Sequence, residues 1–159
     1  MIQANRGAIQ PSPVGFSNTF YVNTYDKYED KDNIQYKPII TFTSQMTGKS
    51  TSIVPTIYDY SNKDRYVKIT FTIKTTGTAN GGYVDLGNSD FPYGFYDIVI
   101  RENTTNYLPG VIDTRPIVYR GIMNLSSRKD PNSYPNPAVE YTEYTTNDSD
   151  TESVYITND

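Results

Sequence analysis

The sequence predicts an all-β protein: an antiparallel β-sandwich of immunoglobulin-like form, with an extended arm at each end. Three observations predict it. The stretch YVKITFTIK (residues 66–74) alternates without a break, with Val67, Ile69, Phe71 and Ile73 on one face and Lys68, Thr70, Thr72 and Lys74 on the other. That period of two marks a strand with one buried face. Turn residues recur between such stretches at the spacing of a sandwich. No segment carries apolar residues at i, i+3, i+4 and i+7 over more than two turns, so no long amphipathic helix is expected.

The elements follow in chain order. Residues 1–17 (MIQANRGAIQPSPVGFS) hold two prolines and no sustained period, and they read as an extended N-terminal arm. The sandwich domain is expected over residues 18–126. NTFYVNTY (18–25) is its first strand, and DKYEDKDN (26–33) is a charged loop. Strands at 39–43 and 51–58 flank the turn TGKS (47–50). Pro55 lacks a ladder donor, which places the second of them at an edge or splits it with a bulge. The strand at 66–74 is followed by Asn80-Gly81-Gly82, a turn that calls for positive φ, and by a short strand at 83–86. Further strands are expected at 93–101 and 115–123. Ile69, Phe71, Ile98 and Ile100 are the expected core.

The tail, 127–159, is of another kind. Three prolines interrupt DPNSYPNP (130–137), which excludes a helix or a central strand and reads as a linker. VEYTEY (139–144) and ESVYIT (152–157) are β-prone stretches that form either a terminal hairpin or an arm. A free hairpin is marginal in water, so it is expected to pack on its own domain or on another chain.

Composition narrows the chemistry. The 159 residues suit one domain, and at 36% hydrophobic content its core is modest. Tyrosine occurs 16 times and tryptophan not at all. A ring with a hydroxyl suits surfaces dry on one side and wet on the other, and interfaces are such surfaces. The absence of Cys removes disulfides, thiolate nucleophiles and zinc-ribbon sites. The absence of His removes the commonest general base and transition-metal ligand. A net charge of −4 argues against a nucleic-acid partner. No apolar run approaches a membrane span. Residues 1–13 lack the apolar stretch of a secretory signal, so folding in a cytoplasm is expected.

No constellation points to catalysis. Asp26, Glu29, Asp30 and Asp32 lack the spacing of a calcium loop and read as a solvated charged loop. Asp85, Asp97 and Glu102 are carboxylates that nothing in the sequence pairs for glycoside hydrolysis. The Gly-rich run 77–82 precedes no helix, so a phosphate loop is unsupported. The expectation is a non-enzymatic protein with no cofactor and no metal.

The segment IYDYSNKDRY (57–66), with Asp59, Ser61, Arg65 and Tyr66 ahead of the alternating strand, resembles short virion structural proteins of tailed bacteriophages of the Bacteroidetes-infecting type. YGFYDIVIRE (93–102) is similar to the Gly-aromatic-Tyr strand of the same group, and VEYTEYTTNDSDTESVYI (139–156) to its tail. The resemblance covers residue 18 to the C-terminus through short motifs. It implies a virion component, a capsid decoration or a neck or tail part, whose partners are major capsid, portal, neck or tail subunits and further copies of itself. The residues expected to grip those partners are Ile2, Ile9, Val14 and Phe16 in the N-terminal arm and Tyr141, Tyr144 and Tyr155 in the tail. The alternative is a soluble carbohydrate- or ligand-binding sandwich that presents coplanar tyrosines.

Overall fold

The structure, a computed structural model, describes residues 1–5 and 15–126. Among them run β1 (Ile2–Asn5), β2 (Phe16–Val22), β3 (Ile39–Ser44), β4 (Ser50–Ile53), β5 (Ile57–Asp59), β6 (Val67–Ile73), β7 (Tyr83–Val84), β8 (Gly94–Arg101) and β9 (Ile117–Ser126). Short 3-10 turns stand at Tyr25–Lys27, Lys31–Gln35 and Ala79–Gly81. The fold is all-β, as expected. None of the described helices is long and apolar enough to cross a membrane.

The alternating segment becomes β6, the middle strand of the smaller sheet. β2 pairs antiparallel along its whole length, from Phe16 opposite Ile73 to Val22 opposite Val67. On its other side β6 pairs antiparallel with β5 and, further along, parallel with β7. The larger sheet has the order β1-β9-β8-β3-β4. Its β9, β8, β3 and β4 are antiparallel, while β1 lies parallel to β9, Ile2 opposite Met123 and Ala4 opposite Leu125. This one parallel pairing makes the sheet mixed.

One core joins the sheets. Phe20, Val22, Ile69, Phe71 and Ile73 from the smaller sheet share a buried cluster with Ile40, Phe42, Tyr96, Ile98, Ile100, Met123 and Leu125 from the larger. The Phe71 ring meets Phe20 edge-on at 6.1 Å and Phe42 at 5.0 Å between centroids. Each such side chain contributes about 1.5–3 kcal/mol on burial. The four expected core residues, Ile69, Phe71, Ile98 and Ile100, are all buried.

The expectations at the edges need correction. Residues 1–17 do not form one extended arm: Ile2–Asn5 is a strand of the larger sheet, with Ala4 fully buried, and β2 already begins at Phe16. A four-residue strand is too short to display a period, and its partner lies more than a hundred residues away. The β-run at 51–58 is two strands in different sheets. Pro55 stands at the crossing, and its neighbours are tied down by Val54 N–H to the Ala79 carbonyl and Thr56 N–H to the Thr70 carbonyl. Thr70 and Thr72 face away from the core yet are buried, because their hydroxyls pair with those of Thr19 and Ser17 (2.8 and 3.2 Å) on β2. In the Asn80-Gly81-Gly82 turn only Gly82 has positive φ, at 78°. The linker and hairpin expected in 127–159 lie outside the described residues.

Candidate protein-binding surface

Strand β8 sorts its side chains by parity. Tyr96, Ile98 and Ile100 enter the core, so Phe95, Asp97 and Val99 stand on the outer face of the larger sheet. The register fills in the rows. Phe95 lies opposite Asn124, which lies opposite Gln3. Asp97 has Ile122 on one side and Thr43 on the other, and Val99 has Arg120 and Thr41. Beyond them the Thr41 and Thr43 hydroxyls pair with Ser52 and Ser50, both at 2.8 Å.

Phe95 and Ile122 are diagonal neighbours across the β8–β9 pair, within reach of large side chains. They are 48% and 45% exposed. Met46, 72% exposed at the turn between β3 and β4, has its Sδ beside Gly94. The turn is pinned there, since Gln45 N–H donates to the Phe95 carbonyl (3.0 Å) and its side-chain amide donates to the Asp97 carboxylate (2.8 Å). The result is a small apolar patch of Met46, Phe95 and Ile122 with the exposed Asp97 between Phe95 and Ile122, bordered by Gln3, Asn124, Gln45, the exposed Arg120 and paired hydroxyls. Exposed aromatic, Met and Arg side chains among polar groups are residue types enriched in protein interfaces.

The carboxylates have separate partners and form no cluster among the described residues. Glu102, just past β8, is buried and accepts from the Glu29 N–H at 2.9 Å and from the Asn33 side-chain amide, latching the 24–36 loop to the domain. Asp97 bonds Gln45 on the outer face. Asp30 accepts from the N–H of Asp32 at 3.0 Å, a local cap. Among the described residues no group of three or more Asp or Glu could hold a metal ion. The hydrogen bond from Ser61 N–H holds the Asp59 carboxyl below its ordinary range. Burial pushes the Tyr28 hydroxyl up to about 12 and raises Tyr58, its hydrogen-bond partner, further. Both therefore stay neutral at physiological pH.

Of the residues expected to grip partners, Ile2 and Phe16 are half-buried in different sheets, and Ile2 packs against the core. The structure does not bring them together on a free arm. Ile9, Val14, Tyr141, Tyr144 and Tyr155 lie outside the described residues. The sugar platform of the alternative reading would need coplanar exposed rings. The exposed pair Tyr21 and Tyr66 meets edge-on at 88°, and Tyr58, stacked on Tyr60, is half-buried with its hydroxyl on Tyr28. The Met46, Phe95 and Ile122 patch was missed by composition alone. Parity along β8 carries the signal for Phe95, since burying Ile98 and Ile100 sends it outward. No family model, no curated protein and no solved structure matches the chain, so the functional reading rests on this surface.

Proposed function

We propose that the chain is a non-enzymatic, immunoglobulin-like structural module of a phage virion, which binds neighbouring protein subunits through the outer face of its larger sheet. The observation that carries the reading is the exposed patch of Met46, Phe95 and Ile122, beside a turn that Gln45 hydrogen-bonds to β8. Aromatic anchors among polar groups are typical of a binding hot spot.

The immunoglobulin-like assignment is supported by strand order. β9-β8-β3 facing β2-β6-β5 follows the G-F-C against B-E-D order of that sandwich, with β4 added beside β3 and β1 moved to the edge beside β9. Tyr96 supports it as well. Near the start of β8 its buried hydroxyl donates to the Pro92 carbonyl, four residues upstream, at 2.6 Å, the arrangement of a tyrosine corner. The virion setting is supported by the resemblance of residues 57–66 and 93–102 to phage structural proteins. In this reading Tyr141, Tyr144 and Tyr155 are further anchors for neighbours.

The test compares wild-type chain with Phe95→Asp and Ile122→Asp in assembling particles, with copy number read by mass spectrometry of purified virions. Incorporation should fall at least about tenfold while the melting temperature of the free variants stays unchanged. Full incorporation of both variants would defeat the proposal.

A further inference from the structure

We propose that Asn80 is a site of covalent modification, hydrolytic deamidation through a cyclic imide with the Gly81 nitrogen, which the fold holds back until the β8–β9 loop lets go of the Asn80 side chain. The inference does not depend on how the domain binds its neighbours.

Asn-Gly occurs once in the sequence, at Asn80-Gly81. It is the asparagine pair most prone to this ring closure, because glycine has no Cβ to hinder its own nitrogen and leaves the backbone free to turn. The step needs no oxidant and no cofactor. The Gly81 nitrogen loses its proton to solvent and bonds to Asn80 Cγ, the Cγ–Nδ2 bond breaks, and ammonia leaves. Water then opens the imide at one carbonyl or the other. The product is aspartate or isoaspartate, the latter with the main chain running through Cβ and Cγ. Asn80 is exposed, so water has access to it.

The folded turn restrains both reacting groups. Asn80 is the middle residue of the 3-10 turn Ala79–Gly81, and the Gly81 N–H donates to the Thr78 carbonyl at 3.0 Å and to the Thr78 hydroxyl at 3.2 Å. While it donates there, the nitrogen keeps the proton it must lose to attack. The carboxamide is held as well, since Asn80 Oδ1 accepts from the Leu108 N–H at 2.7 Å. Leu108 belongs to the loop 102–116 between β8 and β9, which carries the exposed Tyr107 and Val111. Loops with few buried apolar contacts open locally at a free energy far below that of global unfolding. Opening there frees the carboxamide to rotate onto Gly81.

The position of the turn gives the modification a consequence. The Ala79 carbonyl accepts from the Val54 and Gly82 N–H groups, both at 3.1 Å, and the Gly82 carbonyl accepts from Thr72 N–H at 2.9 Å. Aspartate keeps an acceptor for Leu108 and adds one negative charge. Isoaspartate lengthens the backbone by a methylene between Ala79 and Gly82, where both neighbours are tied down, so these bonds cannot all persist. A reversible opening of the loop thereby becomes a permanent loosening of the joint that fastens Val54 and β6.

The experiment incubates the full-length chain in mildly alkaline buffer, folded and in urea, and follows Asn80 by peptide mapping that separates asparagine, aspartate and isoaspartate. Conversion is expected in both conditions, at least about tenfold faster in urea. The isoaspartate form of the folded chain should lose hydrogen-exchange protection at Val54 and Gly82. Leu108→Pro, which deletes the donor to Oδ1, should speed conversion of the folded chain about threefold to tenfold, while Asn80→Gln should stay unconverted. An Asn80 that does not react in urea would overturn the site, and equal rates in the two conditions would overturn its protection. So would a folded Leu108→Pro chain that converts at the wild-type rate. Should that variant not fold, wild type in low urea decides: conversion must rise in step with exchange of the Leu108 and Gly81 amides, and conversion that ignores their exchange would overturn the proposal.

Discussion

Phe42 and Phe71, from opposite sheets, meet with ring centroids 5.0 Å apart and planes inclined at 48°. Both are fully buried, so this contact lies where the two sheets share their apolar faces. Truncating Phe71→Ala should cost roughly 3–5 kcal/mol, most of the stability of a small domain. Thermal unfolding checks this. A melting temperature equal to wild type would mean that the two sheets do not depend on this ring.

Alkaline pH should unfold the protein through its buried tyrosines. Burial pushes the hydroxyls of Tyr28 and Tyr96 up to about 12, against about 10 in an unfolded chain. Above the unfolded value the native state holds more protons, so stability is complete below about pH 10 and is lost as pH rises through about 12. The expected melting curves are unaffected by these groups to about pH 10 and then fall steeply, with tyrosinate absorbance of the buried rings rising as the fold is lost. Ionisation of every tyrosine in one ordinary step, with native circular dichroism retained, would contradict the burial.

Glu102 should hold down the 24–36 loop. Glu102→Ala leaves the Glu29 N–H and the Asn33 amide without their acceptor, at a cost of about 1–3 kcal/mol. Hydrogen exchange should speed up at Glu29, and the domain core should keep its protection. Unchanged exchange across the loop would show that other contacts hold it.

Gly82 is the residue of its turn that most resists substitution. Its φ of 78° is left-handed, and a Cβ there would run into the backbone of Thr56 and Pro55. Gly82→Ala should therefore cost about 1–2 kcal/mol from backbone strain alone, with the collision added. Gly81→Ala meets mainly the Tyr83 ring and the Thr78 hydroxyl and should cost less. Equal losses in denaturant unfolding would rule out this assignment of the turn.

Where one face of a strand is buried, the pattern of the chain is readable. Val67, Ile69, Phe71 and Ile73 announce β6, and Ile98 and Ile100 announce the inner face of β8, because burial on one side imposes a period of two. Ile2 and Ala4 announce nothing, since four residues leave no room for a period and the β9 partner is remote. Residues 51–58 read as one β-run because local propensity is the same on both sides of Pro55, while the assignment to separate sheets is a tertiary matter. The register of β9 is shifted by the irregularity opposite Ile100 and Arg101, so placing Ile122 on the outer face needs the structure. The tyrosines of the described residues are dispersed over the fold. Tyr28 and Tyr96 went into the core, Tyr21 and Tyr66 onto the smaller sheet, and the apolar patch of the larger sheet is Met46, Phe95 and Ile122.

In the proposed function the domain is a structural protein held against neighbours by its larger sheet. A cryo-EM map of the intact particle carrying the chain is the decisive measurement. The predicted map shows the two-sheet domain in the capsid, neck or tail, with Phe95 and Ile122 covered by an adjacent subunit. A particle that contains no copy of the domain, or one in which that face stands open to solvent, would contradict it.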